Sequence, residues 1–175
     1  MERLWAPWRM GYITADKPAG CVFCIGNGRG GDRERLVLHR SERSYVIMNR
    51  YPYSNGHLMV IPYRHISSLD DLGDGELLDL MKTLRLARRA IESVLSPQGF
   101  NIGMNLGHAA GAGVDDHIHF HIVPRWQGDT NYMTVTADIR VIPEAMAATF
   151  SKLQPFFVRH EAGVPQESAF RGEGA

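Results

Sequence analysis

Between His117 and Ile122, histidine alternates with an apolar residue three times, and Val123-Pro124-Arg125 follows. A period of two belongs to an extended strand, whose side chains point alternately to opposite faces. The spacing predicts a strand with His117, His119 and His121 on one face, neighbours about 6.5–7 Å apart. Ile118, Phe120 and Ile122 then point the other way, into a core. Pro124 is expected to end the strand, because it has no N–H to give the ladder. An imidazole near neutral pH can ligate a metal, move a proton or act as a nucleophile. The row of three allows each of these, a zinc site shared by all three included. A polar strand face that is simply rich in histidine is the plain alternative.

The rest of the chain supplies strands and helices around that stretch. Leu36-Val37-Leu38 and Tyr45-Val46-Ile47-Met48 read as a hairpin across Arg40-Ser41-Glu42-Arg43. Asn55-Gly56 is a strong turn signal before a strand at His57–Ile61, which Pro62 stops. Residues 74–95 carry Leu77, Leu80, Met81, Leu84, Ala87, Ile91, Val94 and Leu95 at helical spacing. Lys82, Arg85 and Arg89 fall on the opposite side, read as a solvated face rather than an anion site. Acidic residues cluster at the helix start and arginines toward its end, which suits the helix dipole. Phe100–Asn105 reads as a further strand, and Gly107–Gly113 as a glycine-rich loop leading into the histidines. A possible strand lies at Val135–Val141, and a helix from Pro143 presents Met146, Phe150 and Leu153 before Pro155 ends it. Consecutive strands around one long helix, without β-α-β alternation, indicate an α+β fold with an antiparallel sheet.

At 175 residues the chain is expected to form a single domain, residues 1–175. Its parts would be an N-terminal arm over 1–33, a core over 36–154 and a mobile tail over 160–175. Lys+Arg and Asp+Glu balance at 19 each, which argues against a general attraction to nucleic acid or to a membrane surface. No run of about 18 apolar residues is present, so no membrane span is expected. The first residues lack the apolar stretch of a signal peptide, and a cytoplasmic location is the default expectation. Gly26-Asn27-Gly28-Arg29-Gly30-Gly31 lacks the Lys-Ser/Thr ending of a phosphate loop and reads as a flexible link. Cys21 and Cys24 stand in Cys-x-x-Cys spacing, which fits a redox pair or half of a metal site.

The run from His117 to Val123 resembles the signature of the histidine triad (HIT) family of nucleotide hydrolases and transferases. That resemblance implies a HIT-like fold over most of residues 36–154: an antiparallel sheet, one long helix and a C-terminal helix, usually in a homodimer. It implies a small-molecule nucleotide substrate, with a dinucleoside polyphosphate such as diadenosine tetraphosphate the best candidate. His119 would be the nucleophile on the α-phosphorus, its other nitrogen held by a backbone carbonyl near His117, and His121 would meet phosphate oxygens or the leaving group. Backbone N–H groups of Gly111–Gly113 could line the phosphates. Tyr45–Pro62 looks like the nucleoside-binding segment, which makes Asn49 the candidate ribose ligand; an Asn serving a turn is the alternative. Asn105 looks like a polar position near the α-phosphate. Met48, Leu38 and Ile47 are candidates for a base pocket, with core packing the stronger reading for each. Arg3–Met10 and Val123–Asp129 resemble segments of the diadenosine tetraphosphate phosphorylase branch. There Trp126 could stack on a base or pack against the N-terminal tryptophans. Where that branch carries a hydroxyl or amide, this chain has Ala112-Gly113-Val114. The final acceptor is thus open between water and phosphate, and a phosphoramidase remains an alternative.

The family also contains members with zinc, and this sequence matches their ligand pattern at Cys21, Cys24, His65 and His117. A Cys₂His₂ set suits a closed, structural zinc. Two free thiols with two hydrogen-bonded imidazoles would be the alternative, and a zinc-stabilised nucleotide-binding module without turnover is the rival from outside enzymology. His39, His57, His108 and His160 read as ordinary polar residues.

Overall fold

The computed structural model describes residues 20–26, 28–129 and 142–163. The tryptophans of the arm, the possible strand at 135–141 and the tail beyond residue 163 lie outside the described residues. The elements are α1 (Asp32–Arg35), β1 (Val37–Arg40), β2 (Ser44–Met48), β3 (Leu58–Pro62), α2 (Asp74–Leu95), β4 (Gly99–Gly103), β5 (Phe120–Arg125) and α3 (Met146–Glu161). The strands form one antiparallel sheet in the order β1-β2-β3-β5-β4. The fold is α+β, as the element pattern predicts.

Alternation along each strand divides the apolar residues between the two sheet faces. Val46, Met48, Leu58, Val60, Ile118 and Ile122 face α2 and α3 and form the main core with Leu80, Leu84, Ile91, Phe150, Leu153 and Phe157. The other face carries a smaller cluster of Phe23, Val37, Tyr45, Ile47, Met59 and Ile61. It is this second face that receives the histidines. Helix α2 has the predicted bounds, and Lys82, Arg85 and Arg89 are exposed. Its stripe is narrower than the periodicity suggests, since Leu77 and Met81 are also exposed. The helix is pinned to the β1–β2 turn where Asp79 accepts from the hydroxyls of Ser41 and Ser44, both at 2.6 Å.

Pro62 stops β3 as expected, while the extent of the histidine strand and the effects of Pro124 and Pro155 are corrected. The histidine strand is paired only from Phe120, because β3 ends at Pro62, which has no N–H to continue the ladder toward residues 117–119. Pro124 does not end β5; it pairs with Phe100 of β4. Its carbonyl accepts the Ser54 hydroxyl at 2.9 Å on the side that β3 has vacated, and the missing N–H would point to that same side. Helix α3 runs through Pro155 to Glu161. Pro155 is exposed while Phe157, one further turn along the Phe150–Leu153 face, is fully buried. Burying that ring contributes roughly 2–3 kcal/mol, which offsets much of the roughly 3 kcal/mol cost of an interior proline.

The turn before β3 needs glycine. Gly56 has φ +74°, and a Cβ there would run into the Leu95 side chain. This tight approach of turn to helix fixes where His57 enters the sheet.

Candidate active site

His119 is held as one tautomer. Its Nδ1 lies 2.9 Å from the carbonyl oxygen of His117, which can only accept, so Nδ1 carries the proton and Nε2 keeps its lone pair. This is the arrangement the resemblance implies for a nucleophile. The ring is buried between Phe23, at 4.9 Å between centroids, and His121, which meets it edge-on at 4.8 Å. Burial lowers the His119 pKa, against the hydrogen bond to the His117 carbonyl, so the imidazole is neutral near pH 7.

A second chain of hydrogen bonds sets His121. The Nδ1 of His57 accepts from the Tyr53 backbone N–H at 3.1 Å and from the Asn49 amide at 3.3 Å. Its Nε2 must therefore carry the proton, which it donates to Nδ1 of His121 at 3.0 Å. His121 in turn carries its own proton on Nε2. Burial and the neighbouring imidazoles push His57 down to about 3, and burial with His119 pushes His121 down to about 4. His121 is thus a neutral imidazole that offers an N–H. It borders an open cleft of about 770 Å³ together with Asn105, Trp126, Tyr53, Arg125 and Asn101.

His57, an ordinary polar residue by its sequence context, is instead 1% exposed and central to the site. It directly precedes β3, in phase with Met59, and only the pairing of Met59 with His121 brings it to the triad. His39 is also more than a surface residue. It is buried, stacked on Phe157 and bonded through Nδ1 to Glu161 at 3.0 Å, beside His160.

The other candidates are distributed unevenly. Asn105 and Trp126 line the cleft. Asn49 accepts from the Tyr51 N–H at 2.9 Å, which makes a turn, and spends its amide on His57. Gly111 and Gly113 are exposed in the loop before the histidines, Gly111 with φ +86° after a short 3₁₀ turn over His108–Ala110. Met48 and Leu38 belong to the main core and not to a base pocket; Ile47 lies on the histidine side of the sheet.

On the far side of His117 four donors converge. His117 Nε2 lies 2.9 Å from the Pro62 carbonyl, so it carries the proton and Nδ1 is bare. That nitrogen faces Cys21 Sγ at 3.3 Å and Cys24 Sγ at 3.7 Å, and Nδ1 of His65 lies 3.4 Å from Cys24 Sγ. All four ligand atoms fall within 4.8 Å of one another. A tetrahedral zinc with its usual bond lengths separates S and N ligands by about 3.5 Å. The donor set and its spacing therefore fit zinc, and the group holds together Cys21 and Cys24 of the arm, His65 after β3 and His117 beside the triad.

These features match known proteins. The HIT domain family model matches residues 31–128. The chain is 41% identical over 159 residues, 85% of its length and 80% of the relative's, to the AP-4-A phosphorylase of Mycobacterium tuberculosis. It is 40% identical over 93 residues, 53% of its length and 50% of the relative's, to the asymmetrical bis(5'-nucleosyl)-tetraphosphatase of Schizosaccharomyces pombe. Among solved structures, a Zn-bound histidine triad family protein from Mycobacterium smegmatis superposes with a TM-score of 0.62 at 25% identity, over 82% of this chain and 96% of that one. With the family model spanning more than half of the sequence, and named relatives that are enzymes, this chain belongs to the HIT family and is an enzyme of that family.

Proposed function

We propose that this enzyme cleaves a phosphoanhydride of a dinucleoside polyphosphate, diadenosine tetraphosphate foremost, through a nucleotidyl-His119 intermediate. The single observation that carries the reading is the fixed tautomer of His119 beside an N–H donor on His121. Nε2 of His119 attacks the α-phosphorus, a P–N bond forms, and the P–O bond to the polyphosphate breaks. His121 Nε2–H stabilises charge on the departing oxygen, the kind of preorganised donor on which phosphoryl transfer depends. An oxygen of phosphate or water then attacks the same phosphorus and frees His119. Asn105 and Trp126 bind substrate from the cleft, the Gly111–Gly113 backbone meets phosphate, and Asn49 acts on the ribose or through His57. The 41% relative's name favours phosphate as acceptor and the tetraphosphatase's favours water. A phosphoramidase is the remaining alternative within the fold.

Cys21, Cys24, His65 and His117 hold a structural zinc in this reading. It would supply rigidity and no reaction step, since all four positions are filled by protein. The whole chain is one domain, located in the cytoplasm. A homodimer is the assembly; β4, an edge of the sheet among the described residues and with Ile102 exposed, supports it. No helix among the described residues is long and apolar enough to cross a membrane.

The test is product analysis with labelled phosphate. Diadenosine tetraphosphate should yield ATP with labelled ADP when phosphate is the acceptor, or ATP with AMP when water is. His119→Asn should lower kcat at least ~10³-fold. Undiminished turnover by that variant would end the proposal, and nucleotide binding with no product from wild type would favour a binding module.

A further inference from the structure

The two imidazoles of the Cys₂His₂ group have the same layout but different support. Each turns Nδ1 toward the thiols and Nε2 away from them. For His117 the outer nitrogen is tied to a buried carbonyl, Pro62 O. His65 is different. It sits in the loop after β3 with 44% of its side chain exposed, and its outer nitrogen faces the carboxylate of Asp116 at 3.6 Å. Asp116 directly precedes His117 and follows the glycine-rich loop by three residues. A metal-bound imidazole needs its second N–H held if the ring is to stay in one orientation and one tautomer.

We propose that Asp116 is a positioning residue for the metal: it holds His65 with the proton on Nε2 and Nδ1 free to ligate. This rests on the zinc reading of the four ligands above. The carboxylate makes the imidazole a better donor to a cation and adds one negative charge beside a Cys₂His₂ zinc site that is otherwise neutral. It also ties the loop that carries Gly111 and Gly113 to the metal from both ends of a dipeptide, His117 binding directly and Asp116 through His65.

The measurement is zinc affinity by competition with a chromophoric chelator, on the full-length chain. Asp116→Ala should raise the zinc Kd about 10–100-fold. Asp116→Asn, which keeps an acceptor oxygen and loses the charge, should fall between that variant and wild type. Asp115→Ala removes an equal charge without the His65 contact and should leave affinity within about 2-fold, as befits an exposed charge in salt. In the zinc-loaded protein, imidazole ¹⁵N shifts should place the metal on Nδ1 and the proton on Nε2 of His65. Wild-type affinity in Asp116→Ala, an equal loss in Asp115→Ala, or metal on Nε2 of His65 would each overturn the assignment while leaving the zinc site standing. A wild-type chain that binds no zinc would instead remove the metal reading itself, and this assignment with it.

Discussion

At the scale of single residues, the site works by fixing which nitrogen carries each proton. Oxygen acceptors decide two rings, His117 through Pro62 and His119 through His117, and the Tyr53 N–H decides His57 and hence His121. Replacing His57 by Ala removes the donor to His121 Nδ1 and frees that ring to flip its tautomer. It should lower kcat roughly 10-fold or more with KM little changed, and His57→Gln, which restores a side-chain N–H, should recover part of the loss in steady-state kinetics. The same residue predicts a pH dependence of stability. The folded pKa of His57 is depressed to about 3, so the unfolded chain binds a proton that the folded one refuses. The stabilisation is complete above the unfolded value of about 6.5 and is lost as pH falls from there toward 3, at up to about 1.4 kcal/mol per pH unit. Urea unfolding at several pH values between 6.5 and 4.5 should show a slope shallower by about one proton in His57→Asn than in wild type; equal slopes would contradict it. Alternation alone put His119 and His121 on one face, and their separate roles came from the resemblance. His57 was not legible in either way, because one histidine at the head of an apolar strand carries no pattern until the pairing of Met59 with His121 brings it across the sheet.

At the scale of elements, periodicity carried the reading far, and two of three prolines departed from the local rule. The long helix and the antiparallel sheet follow from patterns of 3.6 and 2, and α2 has the bounds the pattern predicts. The three prolines behaved according to what surrounds them: Pro62 ends pairing, Pro124 sits where its strand has lost a neighbour, and Pro155 is carried inside α3 on its solvent side. A local rule cannot see the buried face that outweighs it. Phe157→Ala should therefore cost about 3–5 kcal/mol in urea unfolding and shorten α3 in far-UV circular dichroism. Val158→Ala, next to it but exposed, should stay within about 0.5 kcal/mol.

At the scale of the whole molecule, the sheet acts as a partition. One face buries the main core under two helices, and the other carries the triad imidazoles, with Phe23 packed against His119. The four candidate ligands span residues 21 to 117, so zinc would join segments that no single element connects. That grouping came from the resemblance; spacing alone left Cys-x-x-Cys open between redox and metal roles, because His65 and His117 meet the thiols only in the folded chain. Removing zinc by chelation should lower the thermal midpoint by roughly 8–16 °C, the effect of losing about 4 kcal/mol of linked binding from a chain of this size, and zinc should restore it. The central claim is that this partition aims one imidazole nitrogen at phosphorus. Rapid acid-free quenching of enzyme turning over diadenosine tetraphosphate, followed by peptide mass spectrometry, tests it most directly. The account predicts an adenylyl group on the peptide containing residues 117–121, localised to His119 and absent from His119→Asn. An adduct on His121, or full turnover with no adduct at any quench time, would contradict it.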